Sequence, residues 1–457
     1  MAEKGVIVEL IALLRLEKFD EVKERLDDMP VQDIAEAMSE LELDAQQRVF
    51  EALPDERQTD TFSYLSPTAQ RELLDSFSDA KSRQILHELL PDDRTAFLES
   101  LSADELEDHL KLLGPEDLKQ SLKLLGYPEE SIGRLMTPHF VAVKPDWSVA
   151  RALDHIRHEA TRGETINFVF VTDQRGRLLD AIKLKEFILA RQDAKVESIM
   201  DEVFYSVLAS ADREEAVQVI QRYDLNTLAV TDKHGVLLGI VTVDDIMDVA
   251  EQETTEDFQK LGAAGVLNMS LLEARPSLLY RKRIGWLLGL VFINIFGGAA
   301  IAMYEETLEA VLVLVLFLPL IIDSGGNAGA QSSTLMVRAL ATGDVQLKDW
   351  FRLWGKEFGV AAALGLSMAA AVALLGFYRG GPEIAFVVAV SMICVVVLGS
   401  MIGMLLPFIL ARFKLDPATA SAPLITSIAD IGGILIYFGI ATVVLRDVVA
   451  AAGAVVH

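Results

Sequence analysis

The apolar positions of this chain fall into three successive regimes. Near the start, Leu41, Leu53, Leu65, Phe77, Leu89, Leu101, Leu113 and Leu125 recur every twelve residues. Turn and helix-start signals follow most of them: Pro54-Asp55-Glu56, Ser66-Pro67, Pro91-Asp92-Asp93, Ser102-Ala103-Asp104-Glu105 and Gly114-Pro115-Glu116-Asp117. Proline in a first turn and acid near a helix N-terminus are both favourable. The repeat therefore predicts a stack of short helices, an α-solenoid-like N-domain over residues 1–132. Spacer, docking module and sensor all fit such a stack.

From about Gly133 the pattern changes to strands. Phe168-Val-Phe-Val-Thr-Asp173 and Leu228-Ala-Val-Thr-Asp232 are short apolar runs, each closed by a turn, Gln174-Arg-Gly176 and Lys233-His-Gly235. Each follows a helix-like segment and precedes a further strand and helix, with Met136 and Met200 opening the two copies. This duplication resembles a pair of cystathionine-β-synthase-type (CBS) domains, 133–196 and 197–252, of α/β class. In the second copy Gly239-Ile-Val-Thr242-Val-Asp-Asp245 resembles that family's ribose-binding pattern, which implies an adenine nucleotide, ATP, held at Thr242 and Asp245. The first copy has Asp180-Ala-Ile-Lys183-Leu-Lys-Glu186 in its place, so that half of the signature is missing. A plain helix-start cap is the other reading of Asp245.

The third regime is membrane-like. Ile284–Met303, Phe358–Tyr378 and Ile384–Ala411 are apolar runs without a charge, long enough to cross a hydrocarbon core as helices. Ala310–Val337 and Pro417–Leu445 are also apolar but contain Asp323 and Asp430. The count is five spans, an all-α membrane domain over 284–457. Arg281-Lys282-Arg283, then Arg338, Lys348, Arg352 and Lys356, then Arg412 and Lys414 mark one side; Glu305, Glu306, Glu309 and Glu383 mark the other. The positive-inside rule puts the N-terminal domains in the cytoplasm and the C-terminus outside, in the cell (inner) membrane.

Composition changes the picture in one respect. The chain carries 41 Lys+Arg against 67 Asp+Glu, yet 51% of its residues are hydrophobic. The two are segregated: only eight basic and eleven acidic residues follow position 283, leaving a net charge of −23 on the part before it. So acidic a soluble part argues against nucleic acid and suits cations, although acid also simply keeps a domain soluble. The lone Cys394 excludes a disulfide framework, and Met1–Leu14 shows no signal-peptide pattern.

Two elements carry the chemistry. The second span holds Pro319-Leu-Ile-Ile-Asp323-Ser-Gly325-Gly326-Asn327-Ala-Gly329-Ala-Gln331, where proline and clustered glycines predict a helix broken at membrane depth, against protein or a watery cavity. The fifth holds Pro417, Pro423 and Thr426-Ser-Ile-Ala-Asp430-Ile-Gly432-Gly433. An ionisable group in a span points to function. A structural hydrogen bond remains open for Asp430, and a cap of the broken helix for Asp323. Taken together these features resemble the MgtE family of magnesium transporters over nearly the whole chain. The resemblance implies a homodimer in the bilayer, a pore on its axis and magnesium as cargo. It places the pore carboxylate at Asp430, with Gly325, Gly326, Asn327, Ala330 and Pro423 lining the path. Ala330 and Ala422 stand where some members have asparagine. An octahedral, reluctantly dehydrated cation suits sparse carboxylates.

The segment Asp244-Asp245-Ile-Met-Asp248-Val-Ala-Glu251-Gln-Glu253-Thr-Thr-Glu256-Asp257 gathers acid at helical spacing, as a solvated face or as a cation site. The resemblance implies a magnesium sensor at Asp212, Glu214, Asp224, Asp245, Asp248, Glu253 and Glu256, with Asp92 from the N-domain. An acidic connecting helix over 253–283, helical from Glu253 to about Arg275, would carry gating motion to the first span. Three alternatives stand beside a regulated magnesium pore: a manganese or cobalt transporter of the same architecture, an intramembrane aspartyl protease using Asp323 and Asp430, and a membrane-anchored nucleotide sensor. The regulated magnesium pore is not an enzyme.

Overall fold

The computed structural model describes residues 12, 13, 16, 18–159, 165–267, 271 and 274–448. The segment read for a signal peptide lies almost wholly outside them. The chain forms two compact units, Met1–Ala250 and Glu251–His457.

The first unit opens with nine short helices among the described residues, from Phe19–Asp27 to Pro115–Leu125. The twelve-residue period has a simple cause: a helix of nine or ten residues plus a short link. Leu53, Leu65, Phe77, Leu89 and Leu113 each sit in the link just after a helix, where Leu53, Leu65 and Leu89 are buried. Ser66 caps its helix by accepting from the Ala69 N–H, and Ser102 with Glu105 forms a capping box. Phe50, Phe62 and Phe97 pack edge to face along the core.

The CBS pair follows as two three-stranded sheets with one topology. Strands β1 (Ala142–Val143), β2 (Phe168–Thr172) and β3 (Leu178–Lys183) form the first, and β4 (Ser206–Leu208), β5 (Thr227–Thr231) and β6 (Leu237–Thr242) the second. The first two strands of each are parallel and the last two antiparallel. The duplication extends to the turns. Asp173 accepts from the N–H groups of Arg175 and Arg177, and Asp232 from those of His234 and Val236. Gly176 and Gly235 take φ +79° and +77° beside them, as the turns require. The copies are joined there through the N–H of Leu178 to the Gly235 carbonyl and of Leu237 to the Gly176 carbonyl.

One buried charge marks where the copies differ. Asp180 is fully buried and accepts from the N–H groups of Ala181, Asp201 and Glu202 at 2.8, 2.9 and 3.1 Å. Gly239 holds the matching place in β6, and a Cβ there would meet the Thr137 carbonyl. Asp180→Ala is expected to destabilise the CBS pair by about 3 kcal/mol, since three buried N–H groups lose a charged acceptor. Urea denaturation of the full chain in detergent reads it as an earlier midpoint, and an unmoved midpoint would contradict the clamp.

In the second unit three helices are long and apolar enough to cross a membrane: Pro276–Ala302, Leu347–Arg412 and Ala422–Val444. By that measure the expected five spans are not reached, for two physical reasons. The long helix is a hairpin: Gly381 has φ 81°, ψ −173°, and a Cβ at Gly376 would meet Ala385 and Val388, nine and twelve residues on. In one straight helix those residues would lie more than about 13 Å away. The segment Leu314–Ala341 is long enough but diluted by Asp323, Asn327, Gln331 and Arg338. It is also one continuous helix. The break expected at Pro319 and Gly325-Gly326 is absent, because tight packing holds these residues helical.

That packing runs backbone to backbone. A Cβ at Gly399 would overlap the Gly325 carbonyl, and one at Gly403 the Gly329 carbonyl. Two small-xxx-small pairs, Gly325/Gly329 and Gly399/Gly403, thus face each other, as in close membrane helix pairs. Tyr437 donates to the Leu314 carbonyl at 2.9 Å, and Thr307 and Thr442 share a hydrogen bond. By contrast Leu287, Leu288, Val291, Phe292, Ile295 and Phe296 of the first helix are exposed.

The connecting helix also differs from expectation. It runs Val243–Leu261, so it starts at the end of β6 and stops well short of Arg275. Gly262 follows, Ala263 takes φ 55°, and the N–H groups of Ala263 and Ala264 close on the Lys260 and Gln259 carbonyls. Part of the remaining stretch lies outside the described residues, and helix resumes at Pro276.

Candidate functional site

In the apolar unit the helix Leu314–Ala341 has one polar stripe. Asp323, Asn327, Gln331 and Thr334 are exposed, at spacings of four, four and three that share a helix face. Asn327 Nδ2 donates to Asp323 Oδ2 at 2.9 Å, and Thr334 Oγ1 to the Ala330 carbonyl. Asp430 lies mid-way along Ala422–Val444, within electrostatic range of Asp323. Its Oδ1 is buried and has no hydrogen-bond partner. An oxygen left so is costly, and through it Asp430 makes no hydrogen-bonded strut between helices.

The other expected lining residues divide. Ala330, Ala422 and Pro423 are half-buried, the last two in the first turn after the N-cap Ser421. Gly325 and Gly326 are buried in helix contacts instead: a Cβ would run into Val395 at the first and Thr426 at the second. Gly326→Leu is therefore expected to push the second and fifth helices apart and lose folded material, read by size-exclusion chromatography. A variant with normal yield and oligomeric profile would contradict this packing role.

The acidic positions of the first unit do not form one cluster. Asp212 caps the helix Arg213–Tyr223, accepting from the Glu214 N–H at 2.9 Å, while Asp224 ends it in left-handed conformation. Those ends are about 16 Å apart, so Asp212 and Asp224 cannot share an ion within one chain. Asp245 and Asp248 lie near the start of Val243–Leu261. Thr242 Oγ1 donates to Asp245 Oδ2 at 2.7 Å, so the ribose-like pair is closed on itself.

An N-domain residue within electrostatic range of this helix is Asp93, next to the expected Asp92. Burial, then Asp245, Asp60, Asp244 and Asp248, push the Asp93 carboxyl up to about 6. Burial, with Asp244 and Asp248 adding to it and Thr242 opposing, holds Asp245 at about 6 as well. Asp92 is buried and interacts with Arg94, which is buried and bonded to the Leu86 carbonyl, Gln120 and Ser121. Neighbours in a first helical turn point about 100° apart, and spacing alone does not tell which one looks outward.

Further along the same helix, Lys260 pairs with Glu256 and reaches Asp416 at 2.5 Å, in the loop before the last helix. Against the cost of burial, those carboxylates raise the lysine's pKa. Burial and Asp416, opposed by Lys260 and reinforced by Glu253 and Glu256, push Asp257 up to about 6. Neither Lys260 nor Asp416 was singled out from the sequence, being 156 positions apart. Among the described residues no three His, Cys, Asp or Glu side chains converge as a metal cage. Sparse carboxylates fit a hydrated magnesium ion, which is held through one or two of them, better than a fully protein-coordinated one.

Comparison with known proteins assigns the parts. A model described as "Divalent cation transporter" (MgtE) matches residues 318–440, the MgtE intracellular N domain matches 29–130, and CBS domains match 132–193 and 196–251. A magnesium transporter MgtE of Thermus thermophilus is 39% identical over 322 residues, 70% of this chain and 72% of that protein. One of Bacillus subtilis is 34% identical, over 70% and 71%. The crystal structure of the cytosolic domain of the Mg2+ channel MgtE in complex with ATP is 32% identical and covers 53% of this chain and 99% of its own, with a TM-score of 0.51.

Proposed function

Because this chain belongs to the MgtE family of divalent cation transporters, we propose that it conducts magnesium through a pore whose ion-binding carboxylate is Asp430. The family are transporters and not enzymes, and nothing favours the protease alternative. The observation that carries the reading is the buried, unpartnered Asp430 oxygen beside a polar stripe on an otherwise apolar helix. A stripe of Asp323, Asn327, Gln331 and Thr334 cannot face lipid without cost. A second copy across a water-filled axis would cover it and bring a second Asp430, giving a homodimeric pore of two carboxylates for one divalent ion. Five spans belong to this reading, and the basic loops support cytoplasmic N-terminal domains and a C-terminus outside.

Gating falls to the acidic residues. The Asp93, Asp245 and Asp248 carboxylates repel at low magnesium, and bound ions would draw the N-domain and the connecting helix together. Glu253 and Glu256 would act lower on the same helix, and Asp212, Glu214 and Asp224 between copies, since one chain does not gather them. A second reading, an adenine nucleotide at Thr242 and Asp245, is supported by the relative solved with ATP. The test is magnesium entry into proteoliposomes holding the purified full chain, with manganese and cobalt as competitors. Entry of manganese or cobalt but not magnesium would replace the cargo, and no cation entry would end the proposal.

A further inference from the structure

Asp323 lacks the structural role that would explain it away. It is the tenth residue of the unbroken helix Leu314–Ala341, so it caps nothing. It is exposed on that helix, and among the described residues no lysine, arginine or histidine pairs with it. A bare carboxylate at membrane depth belongs where water or a cation reaches it. Its hydrogen-bond partner is the Asn327 amide, at 2.9 Å. That bond fixes the side chain and leaves the Asn327 carbonyl oxygen as a further acceptor. Within electrostatic range stands Asp430, whose buried Oδ1 is itself without a partner. Two carboxylates that feel each other's charge raise each other's energy unless a cation joins them.

We propose that the Asp323 carboxylate, held by Asn327, is a second cation-binding group of the conduction path and takes a hydrated divalent cation together with Asp430. This rests on the pore reading above. Each chain then contributes two carboxylates and one amide oxygen instead of one carboxylate. The ion keeps its water and is held through it, as a reluctantly dehydrated cation requires. The added negative charge strengthens divalent over monovalent occupancy, because attraction scales with the ion's charge.

The experiment uses the full chain in proteoliposomes and reads magnesium entry against external magnesium, with potassium permeability alongside. Asp323→Asn keeps the shape and an acceptor for Asn327. The half-saturating magnesium concentration is expected to rise about tenfold, the equivalent of about 1.4 kcal/mol, and the magnesium-to-potassium permeability ratio to fall. Asp323→Glu is expected to restore most of both. A purely structural role would lower the amount of active protein without moving either ratio. Unchanged half-saturation and selectivity in Asp323→Asn, with normal wild-type entry, overturns this inference and leaves the pore reading standing. Absent wild-type entry overturns both. If Asp323→Asn does not assemble, Asp323→Ser decides: a raised half-saturation with a lower magnesium-to-potassium ratio supports the site, and wild-type values in both count against it.

Discussion

Asp430→Ala is expected to cut magnesium entry by about a hundredfold or more while the chain still folds and inserts. A hundredfold corresponds to about 2.7 kcal/mol of ion stabilisation, modest for a charge that meets a divalent ion at low dielectric. Folding should survive, because the Asp430 Oδ1 makes no hydrogen bond that the fold would lose, and an unpartnered buried oxygen costs stability where it stands. The variant is thus expected to be at least as heat-stable as the parent while being inactive. Undiminished magnesium entry would remove Asp430 from the pore. Lost entry together with a lower melting temperature would make it a structural residue.

The second large effect concerns regulation. Neutralising Asp245, Asp248, Glu253 and Glu256 together is expected to leave the pore open at magnesium concentrations that close the parent, with half-closure displaced more than tenfold. A ligand shifts such an equilibrium only by its differential affinity for the two states, and this variant would remove much of the difference. Asp93→Asn alone should instead ease docking, because it removes repulsion without removing the helix's own sites. Closure of the fourfold variant at the parental concentration would place the sensor elsewhere.

Protons offer an independent handle on that contact. Asp93 and Asp245 both sit at about 6, above the ordinary carboxylate value of 3.8. The docked state therefore binds protons more tightly than the undocked one, and lowering the pH through about 6 stabilises docking. The gain is complete below about 4 and lost as the pH rises past 6. Without magnesium, acidification from pH 7.5 to pH 5 on the cytoplasmic side is expected to shift the pore toward closed, and Asp93→Asn with Asp245→Asn should abolish that shift.

Much of the architecture was legible because it is periodic. Leu53, Leu65 and Leu89 mark links between short helices since each helix restarts after the same number of residues. The paired turns at Asp173 and Asp232 were readable because each needs a glycine in left-handed conformation. Asp430 stood out through its cost in an apolar helix. What stayed hidden depends on partners distant in sequence. Gly325 looked like a helix breaker until Gly399, seventy-four positions on, gave it something to pack against. That Asp93 feels the carboxylates of the connecting helix is not legible from spacing, because only the fold brings the two segments together. The stop at Leu261 is made by Gly262 and a left-handed Ala263, a backbone feature that the acidic pattern before it does not announce.

The early stop of that helix changes the mechanical route between the two ends of the chain. A rod running on to Arg275 would have pushed on the first membrane helix. A rod that ends at Leu261 has its last firm grip one residue earlier, where Lys260 holds Asp416. Asp416 also caps the turn at Pro417 by accepting from the Ala418 N–H at 2.8 Å, and Ser421 begins the helix that carries Asp430. From grip to Asp430 is fourteen residues, the last nine of them stiff helix. A small rotation of the rod would thus reach, with little slack, the base of the helix that carries Asp430, as a crank turns a shaft, and the Gly265 N–H bonded to the Lys282 carbonyl would pass it to the first helix as well.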